Sequence, residues 1–148
     1  MTTIRTQTRE RHFVKAGVTG GLVGGIFFGF LLAGLGLLPV IAELVGSRSV
    51  IIGFTVHMAI SALFGALFGL GLEFGLVRLS RAVRYGALYG VFWWVVGALT
   101  LMPLFLGLEP QLHRALAPSN LIGLLGHVIY GVVLGATVVT ICRSKWGR

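Results

Sequence analysis

The sequence predicts an all-α integral membrane protein, a four-helix bundle built from two parallel tandem helix-hairpin repeats with both termini in the cytoplasm. Three observations lead to this fold class. Hydrophobic residues make up 56% of the chain and charged residues only 11%, whereas soluble domains carry roughly 25% charged residues. The charges fall in short clusters that are separated by four long uncharged runs. Glycine, proline and histidine positions of the first half recur in the second half.

The composition also excludes several classes of protein. A disordered chain has few apolar residues and many charges, and a disulfide-stapled module needs more than the lone Cys142. A soluble enzyme needs more polar sequence than a chain of mean hydropathy +0.95 provides. The formal net charge of +8 raises the question of nucleic acid. Because the cations flank apolar runs, anionic lipid headgroups explain them sufficiently, and we expect a lipid bilayer and no nucleic acid as partner.

The four uncharged runs predict four membrane spans within one membrane domain over residues 1–148. They cover residues 16–42, 49–72, 85–108 and 115–142. About 20 residues suffice to cross a hydrocarbon core of roughly 30 Å, so every run is long enough. Pro39 and Pro103 lie near the far ends of the first and third runs, where a missing backbone donor bends or ends a helix. Residues 39–46 are therefore expected to form a short interfacial turn.

The distribution of lysine and arginine predicts the orientation of the spans. Four cations lie in the tail 1–15, three in the middle connector and three in the tail 143–148, namely Arg5, Arg9, Arg11, Lys15, Arg78, Arg81, Arg84, Arg143, Lys145 and Arg148. With four spans, these three segments share one side of the membrane, and only Arg48 and Arg114 lie on the other. The two tails are therefore predicted to be cytoplasmic. This strong bias favours the inner (plasma) membrane of a prokaryotic cell.

An internal repeat is predicted from short matches that occur in the same order in both halves. Gly21-Leu-Val-Gly-Gly25 matches Gly86-Ala-Leu-Tyr-Gly90 at an offset of 65 residues. Pro39 matches Pro103, and His57 matches His127 at an offset of 70. Repeat one covers about residues 16–75 and repeat two about residues 85–142. Since each repeat is a helix hairpin, a pseudo-two-fold axis along the membrane normal is expected to relate them.

Small residues spaced four apart form a ridge on one face of each span. Such ridges let helix backbones approach closely in lipid, where no hydrophobic drive brings helices together. The residues predicted to pack helices in this way are Gly21, Gly25, Gly53, Ser61, Gly65, Gly86, Gly90, Gly123, Gly131 and Gly135. These ridges predict dense packing inside the bundle, or a surface for a second copy or a partner subunit.

His57 and His127 are the ionisable residues that lie well inside the spans, and such residues are candidate functional sites. At matched depth on symmetry-related helices, they could ligate a b-type haem, because neutral imidazole is a good iron ligand. A copper or zinc ion is an alternative, with Met58 or Met102 as weak further ligands. The simplest interpretation is that each histidine donates a hydrogen bond to a neighbouring helix. No catalytic residues are predicted, because no nucleophile lies beside a base in the sequence.

Three segments carry a resemblance to a known class of proteins. Leu37–Gly46, Val56–Ser61 and Gly86–Trp94 resemble small prokaryotic four-span membrane proteins built from two helix-hairpin repeats. The resemblance implies a class and no mechanism. The preferred interpretation is a non-enzymatic accessory or packing subunit that acts through glycine-ridge helix contacts, either in a homo-oligomer or with a partner in a membrane complex. The alternatives are a haem-binding or metal-binding membrane protein using His57 and His127, and a small-solute channel or transporter.

Overall fold

The structure, a computed structural model, describes residues 2–71 and 78–146, with side chains described for residues 11–71 and 78–144. All regular structure in these residues is helical. Four helices are long and apolar enough to cross a membrane: Arg11–Gly34, Val50–Gly71, Leu79–Phe105 and Pro118–Ser144. The predicted all-α four-span bundle is thus confirmed. The end of repeat one at residue 75 and the side chains of Arg5, Arg9, Lys145 and Arg148 lie outside this description.

The described residues form a series of helices and helical turns. In chain order the elements are α1 (Thr2–Gly34), α2 (Leu38–Ala42), a 3-10 turn (Glu43–Val45), α3 (Val50–Gly71), α4 (Leu79–Trp93), a π-helical segment (Trp94–Leu101), α5 (Met102–Phe105), a second 3-10 turn (Leu112–Arg114) and α6 (Pro118–Trp146). Helix α1 extends back to Thr2, so most of the predicted tail 1–15 has helical backbone.

The first predicted span is interrupted just before Pro39, as expected from the sequence. Helix α1 ends at Gly34, and Gly36 adopts a positive φ of 67°. Pro39 then lies in the first turn of α2, where its missing N–H is not needed. A second left-handed glycine, Gly46, with φ 71°, ends the 3-10 turn before α3. The segment after α1 is therefore a short capped helix and turn.

The third span contains a π-helical segment that the sequence analysis did not predict. In a regular α-helix the amide of residue 103 would donate to the carbonyl oxygen of Leu99, but Pro103 has no N–H. The amide of Gln111 donates to this oxygen instead, with an N···O distance of 2.7 Å. The loop 106–117 is thereby attached to the C-terminal part of the third span. The missing N–H of Pro103 thus leaves the carbonyl oxygen of Leu99 available to the loop.

The helices pack as two hairpins joined side by side. Helix α1 packs closely on α3, α4 packs closely on α6, and α1 also packs on α6. Helices α3 and α4 meet through aromatic side chains, since the rings of Phe64 and Trp93 stack with centroids 3.7 Å apart. The interior is apolar, with Leu38, Leu99, Leu134 and Val138 fully buried. Apolar side chains also point outward, as a surface in contact with lipid requires.

Candidate functional site

The interface between α1 and α3 is built from glycine faces that meet at the level of the backbone. Gly17 and Gly21 of α1 lie against Ser61, Gly65 and Gly69 of α3. A Cβ atom built on Gly65 would lie 2.8 Å from the Cα of Gly21, and one built on Gly25 would lie 2.7 Å from the Oγ of Ser61. No side chain larger than hydrogen fits at these glycines unless the helices move apart.

The interface between α4 and α6 is constructed in the same way. Gly86 lies against Gly131 and Gly135, while Gly90 lies against the backbone of His127. A Cβ built on Gly131 would lie 2.7 Å from the carbonyl carbon of Gly86. Both hairpins therefore use the same residue type for the same purpose.

One close backbone contact of the first hairpin has a counterpart in the second hairpin. A Cβ on Gly65 meets the carbonyl oxygen of Gly17, and a Cβ on Gly135 meets that of Ala82. Gly65 and Gly135 are 70 residues apart, and Gly17 and Ala82 are 65 apart. These are the two offsets that the sequence matches follow.

Two of the predicted packing residues have other surroundings. Gly53 lies against the backbone of Leu38 in the short helix α2, so it attaches the turn after α1 to α3. Gly123 has room for a Cβ, because its nearest neighbour would be the Nε1 atom of Trp94 at 3.8 Å. Gly123 therefore does not take part in close backbone packing.

A second glycine face on α1 was missed by the sequence analysis. Gly20 and Gly24 pack against Leu134 and Tyr130 of α6, and a Cβ on Gly24 would lie 2.8 Å from the carbonyl oxygen of Tyr130. This face joins the two hairpins. The sequence feature that indicates this face is the pair of glycine doublets, Gly20-Gly21 and Gly24-Gly25. Two doublets spaced four apart place glycines on two adjacent faces of the helix.

The two intramembrane histidines make different hydrogen bonds. His57 is buried, with 6% of its surface exposed, and its Nε2–H donates to the carbonyl oxygen of Gly25 on α1 at 2.9 Å. His127 is partly buried, and its Nδ1–H donates to the carbonyl oxygen of Gly123 on its own helix at 2.8 Å. These donor roles follow from the acceptors, which are carbonyl oxygens. His57 thus links two helices, whereas His127 does not.

Phe28 of α1 lies against both histidines. Its ring centroid is 5.3 Å from that of His57 and 4.7 Å from that of His127, in edge-to-face arrangements. The ring is itself buried. The structure therefore places the two histidines in the same part of the bundle, with an aromatic ring in contact with each. Sequence reasoning missed Phe28, because an apolar residue in an apolar span carries no distinguishing signal.

The haem prediction requires His57 and His127 to face each other, and in the structure the ring of Phe28 contacts both of these imidazoles. Axial ligation requires an imidazole nitrogen of each histidine to face a flat macrocycle. Phe28 contacts both rings, and the Nε2–H of His57 is engaged by Gly25. Among the side chains that the structure describes, no three His, Cys, Asp or Glu residues are grouped as metal ligands.

Three further polar side chains inside the bundle donate hydrogen bonds to backbone carbonyl oxygens of neighbouring spans. The phenol of Tyr130 donates to Ser61 at 2.7 Å, and that of Tyr89 donates to Phe64 at 2.8 Å. The indole of Trp94 donates to Asn120 at 2.9 Å. Each bond joins two different spans, so these groups hold the helices in register.

Comparisons with known proteins add no further identification. No protein-family model matches the chain, and neither a curated protein nor a solved structure matches it. The chain fits a small four-span membrane protein by its helices. The resemblance to prokaryotic proteins of this kind stays a prediction.

Proposed function

We propose that the protein is a non-enzymatic integral membrane protein, an accessory or packing subunit that acts through helix contacts. One observation carries this proposal. Three polar side chains inside the bundle, those of His57, Tyr89 and Tyr130, donate to backbone carbonyl oxygens of neighbouring helices. Side chains engaged in this way position helices and are not directed at a substrate. The proposed role is therefore a structural one within the membrane.

The proposal includes two helix-hairpin repeats with both termini in the cytoplasm. The corresponding contacts of Gly65 with Gly17 and of Gly135 with Ala82 support the repeat. The excess of lysine and arginine at one end of the bundle supports the orientation, and with it an inner-membrane location. Labelling of intact cells with a membrane-impermeant maleimide tests the orientation. In a Cys142→Ala background, Ser119→Cys is expected to react in intact cells and Ser144→Cys only after lysis, and the reverse result contradicts it.

The surface that meets a partner is proposed to lie outside the glycine faces. Gly21, Gly65, Gly86 and Gly131 already contact other helices of this chain, so they are not free for a second copy or another subunit. The outward faces carry large apolar side chains, such as Phe30 with 70% and Ile51 with 78% of their surface exposed. A homo-oligomer or a partner subunit would use one of these faces.

Site-specific photocross-linking in the native membrane tests the accessory role. A photoreactive amino acid is placed once on each outward face, at Phe30, Ile51, Leu88 and Leu125. One face is expected to yield a single protein adduct, and a second bulky substitution on that face is expected to abolish it. Lipid adducts alone from all four faces, together with a monomeric protein on a native gel, would contradict the proposal.

The alternative functions stay predictions with weaker support. Phe28 contacts both imidazoles, which disfavours a haem between His57 and His127. A channel or transporter would need a polar lining, and the polar groups named above are engaged by backbone carbonyls. An optical spectrum, described below, decides the haem alternative.

A further inference from the structure

We propose that the outward face of α4 binds an anionic phospholipid, with the headgroup at Arg81 and Arg84 and an acyl chain along Tyr85, Leu88 and Phe92. These five residues are called the α4 lipid face. The proposal does not depend on the accessory role, because it concerns the lipid and not a protein partner.

The α4 lipid face is defined by exposure and by helical spacing. All five side chains are exposed, including Tyr85 at 54%, Leu88 at 65% and Phe92 at 52%. Residues 81, 85, 88 and 92 recur at intervals of four, three and four, which places them on one side of the helix. The opposite side, formed by Ala82, Gly86 and Gly90, is buried against α6. The face therefore points away from the bundle.

The length of the face matches one leaflet of a bilayer. Position 92 lies eleven steps after position 81, which corresponds to about 16 Å along the helix at 1.5 Å per residue. Half of a hydrocarbon core is about 15 Å thick. Arg81 and Arg84 thus lie at headgroup level when Phe92 lies near the midplane. Tyr85 lies between the arginines and Phe92, at the depth where amphipathic rings are favoured.

Among the side chains that the structure describes, no carboxylate forms an ion pair with Arg81 or Arg84. In the part of the chain with described side chains, the recorded ion pair joins Arg48 and Glu43 at 3.0 Å, at the other end of the bundle. Arg84 uses its Nε–H in a 3.3 Å bond to the carbonyl oxygen of Ser80, which leaves its terminal N–H groups for another acceptor. The N-terminus of α4 adds a partial positive charge at the same level.

The side chains of the α4 lipid face match a ligand in which a phosphate is attached to an acyl chain. A guanidinium binds two phosphate oxygens through parallel hydrogen bonds. A soluble phosphate would use the arginines alone, whereas a phospholipid also covers the apolar residues below them. The occupant of the α4 lipid face is therefore a phospholipid.

Lipid titration of the purified full-length protein tests the proposal. Binding of phosphatidylglycerol is compared with that of phosphatidylcholine of the same acyl chains, for the wild type and two double variants. Arg81→Gln with Arg84→Gln removes two charges from the α4 lipid face. Arg11→Gln with Lys15→Gln removes two charges from the same end of the bundle on α1. Gel filtration confirms that each variant is folded.

We expect the wild type to prefer phosphatidylglycerol and the α4 variant to bind it about thirtyfold more weakly, with unchanged binding of phosphatidylcholine. The double variant on α1 is expected to lose much less affinity for phosphatidylglycerol. Equal losses in both double variants would overturn the proposal, because surface charge alone would then explain binding. Equal affinity of the wild type for both lipids, or displacement of the lipid by glycerol phosphate, would overturn it as well.

Discussion

The phenol of Tyr130 on α6 donates a 2.7 Å hydrogen bond to the carbonyl oxygen of Ser61 on α3, and this bond joins the two hairpins. Tyr130 also lies against Gly24 of α1. A single side chain thus contacts both helices of the first hairpin. The hydroxyl group of Tyr130 forms this hydrogen bond within an apolar interior. Its removal should therefore lower the free energy of unfolding by a measurable amount.

Replacement of Tyr130 by phenylalanine removes only this hydroxyl group. We expect a loss of about 0.5–1 kcal/mol in the free energy of unfolding, the size typical of interhelical hydrogen bonds in membranes. This loss is measured by unfolding the protein with sodium dodecyl sulfate in mixed micelles. Tyr85→Phe is the control, since Tyr85 is exposed and should change nothing. An equal loss in both variants would show that the bond to Ser61 does not matter.

Alanine at the glycine faces is expected to push the paired helices apart. Gly65→Ala places a methyl group against the backbone of Gly17 and Gly21, and Gly131→Ala places one against Gly86. Overpacking of this kind costs about 1–3 kcal/mol. The control is Gly34→Ala, whose added Cβ meets no atom within 4 Å and which should be neutral or slightly stabilising. The free energy of unfolding of each variant is measured in the same mixed micelles. Unchanged stability of both Gly65→Ala and Gly131→Ala would refute the close packing of these helices.

The two histidines are expected to differ in their contribution to stability. His57→Ala removes a buried hydrogen bond between α3 and α1 and leaves a cavity, so we expect a loss of about 2 kcal/mol. His127→Ala removes a bond within α6 and should cost about half as much. Thermal unfolding of the two variants in detergent measures the difference. A larger loss in His127→Ala would contradict the assignment of the interhelical bond to His57.

The contacts of Phe28 predict the optical spectrum of the purified protein. Since its ring contacts both imidazoles, we expect no Soret band after expression with ample haem, either oxidised or reduced with dithionite. The measurement includes His57→Ala and His127→Ala. A Soret band with sharp reduced bands that disappears in both variants would instead establish a bis-histidine haem, and it would require Phe28 to move.

Replacement of Pro103 is expected to release the loop 106–117. Pro103→Ala supplies an N–H that competes with Gln111 for the carbonyl oxygen of Leu99. The amide of Gln111 should then exchange with solvent deuterium at least tenfold faster, which corresponds to a loss of about 1.4 kcal/mol in protection. Pro39→Ala is the matched control, because Pro39 occupies the first turn of α2 and should not affect this amide. Unchanged exchange in Pro103→Ala would refute the competition.

The sequence by itself determined the number of spans and the basic end of the bundle. Hydropathy and charge are properties of continuous segments, so the uncharged runs could be read without knowing which helices touch. The interruption near Pro39 was also predictable, since proline acts on its own turn of helix. The attachment of the loop to Leu99 was not predictable, because it depends on the amide of Gln111, which lies twelve positions further along the chain.

The tertiary structure decided which faces of the helices meet. Gly20-Gly21 and Gly24-Gly25 offer two adjacent faces, and only the rotation of α1 about its axis assigns one to α3 and the other to α6. The same rotation brings Phe28 against His57 and His127. Rotation is set by the simultaneous packing of all four helices and not by any local pattern. For this reason the sequence indicated that the histidines share a depth, whereas only the packed bundle shows what lies against them.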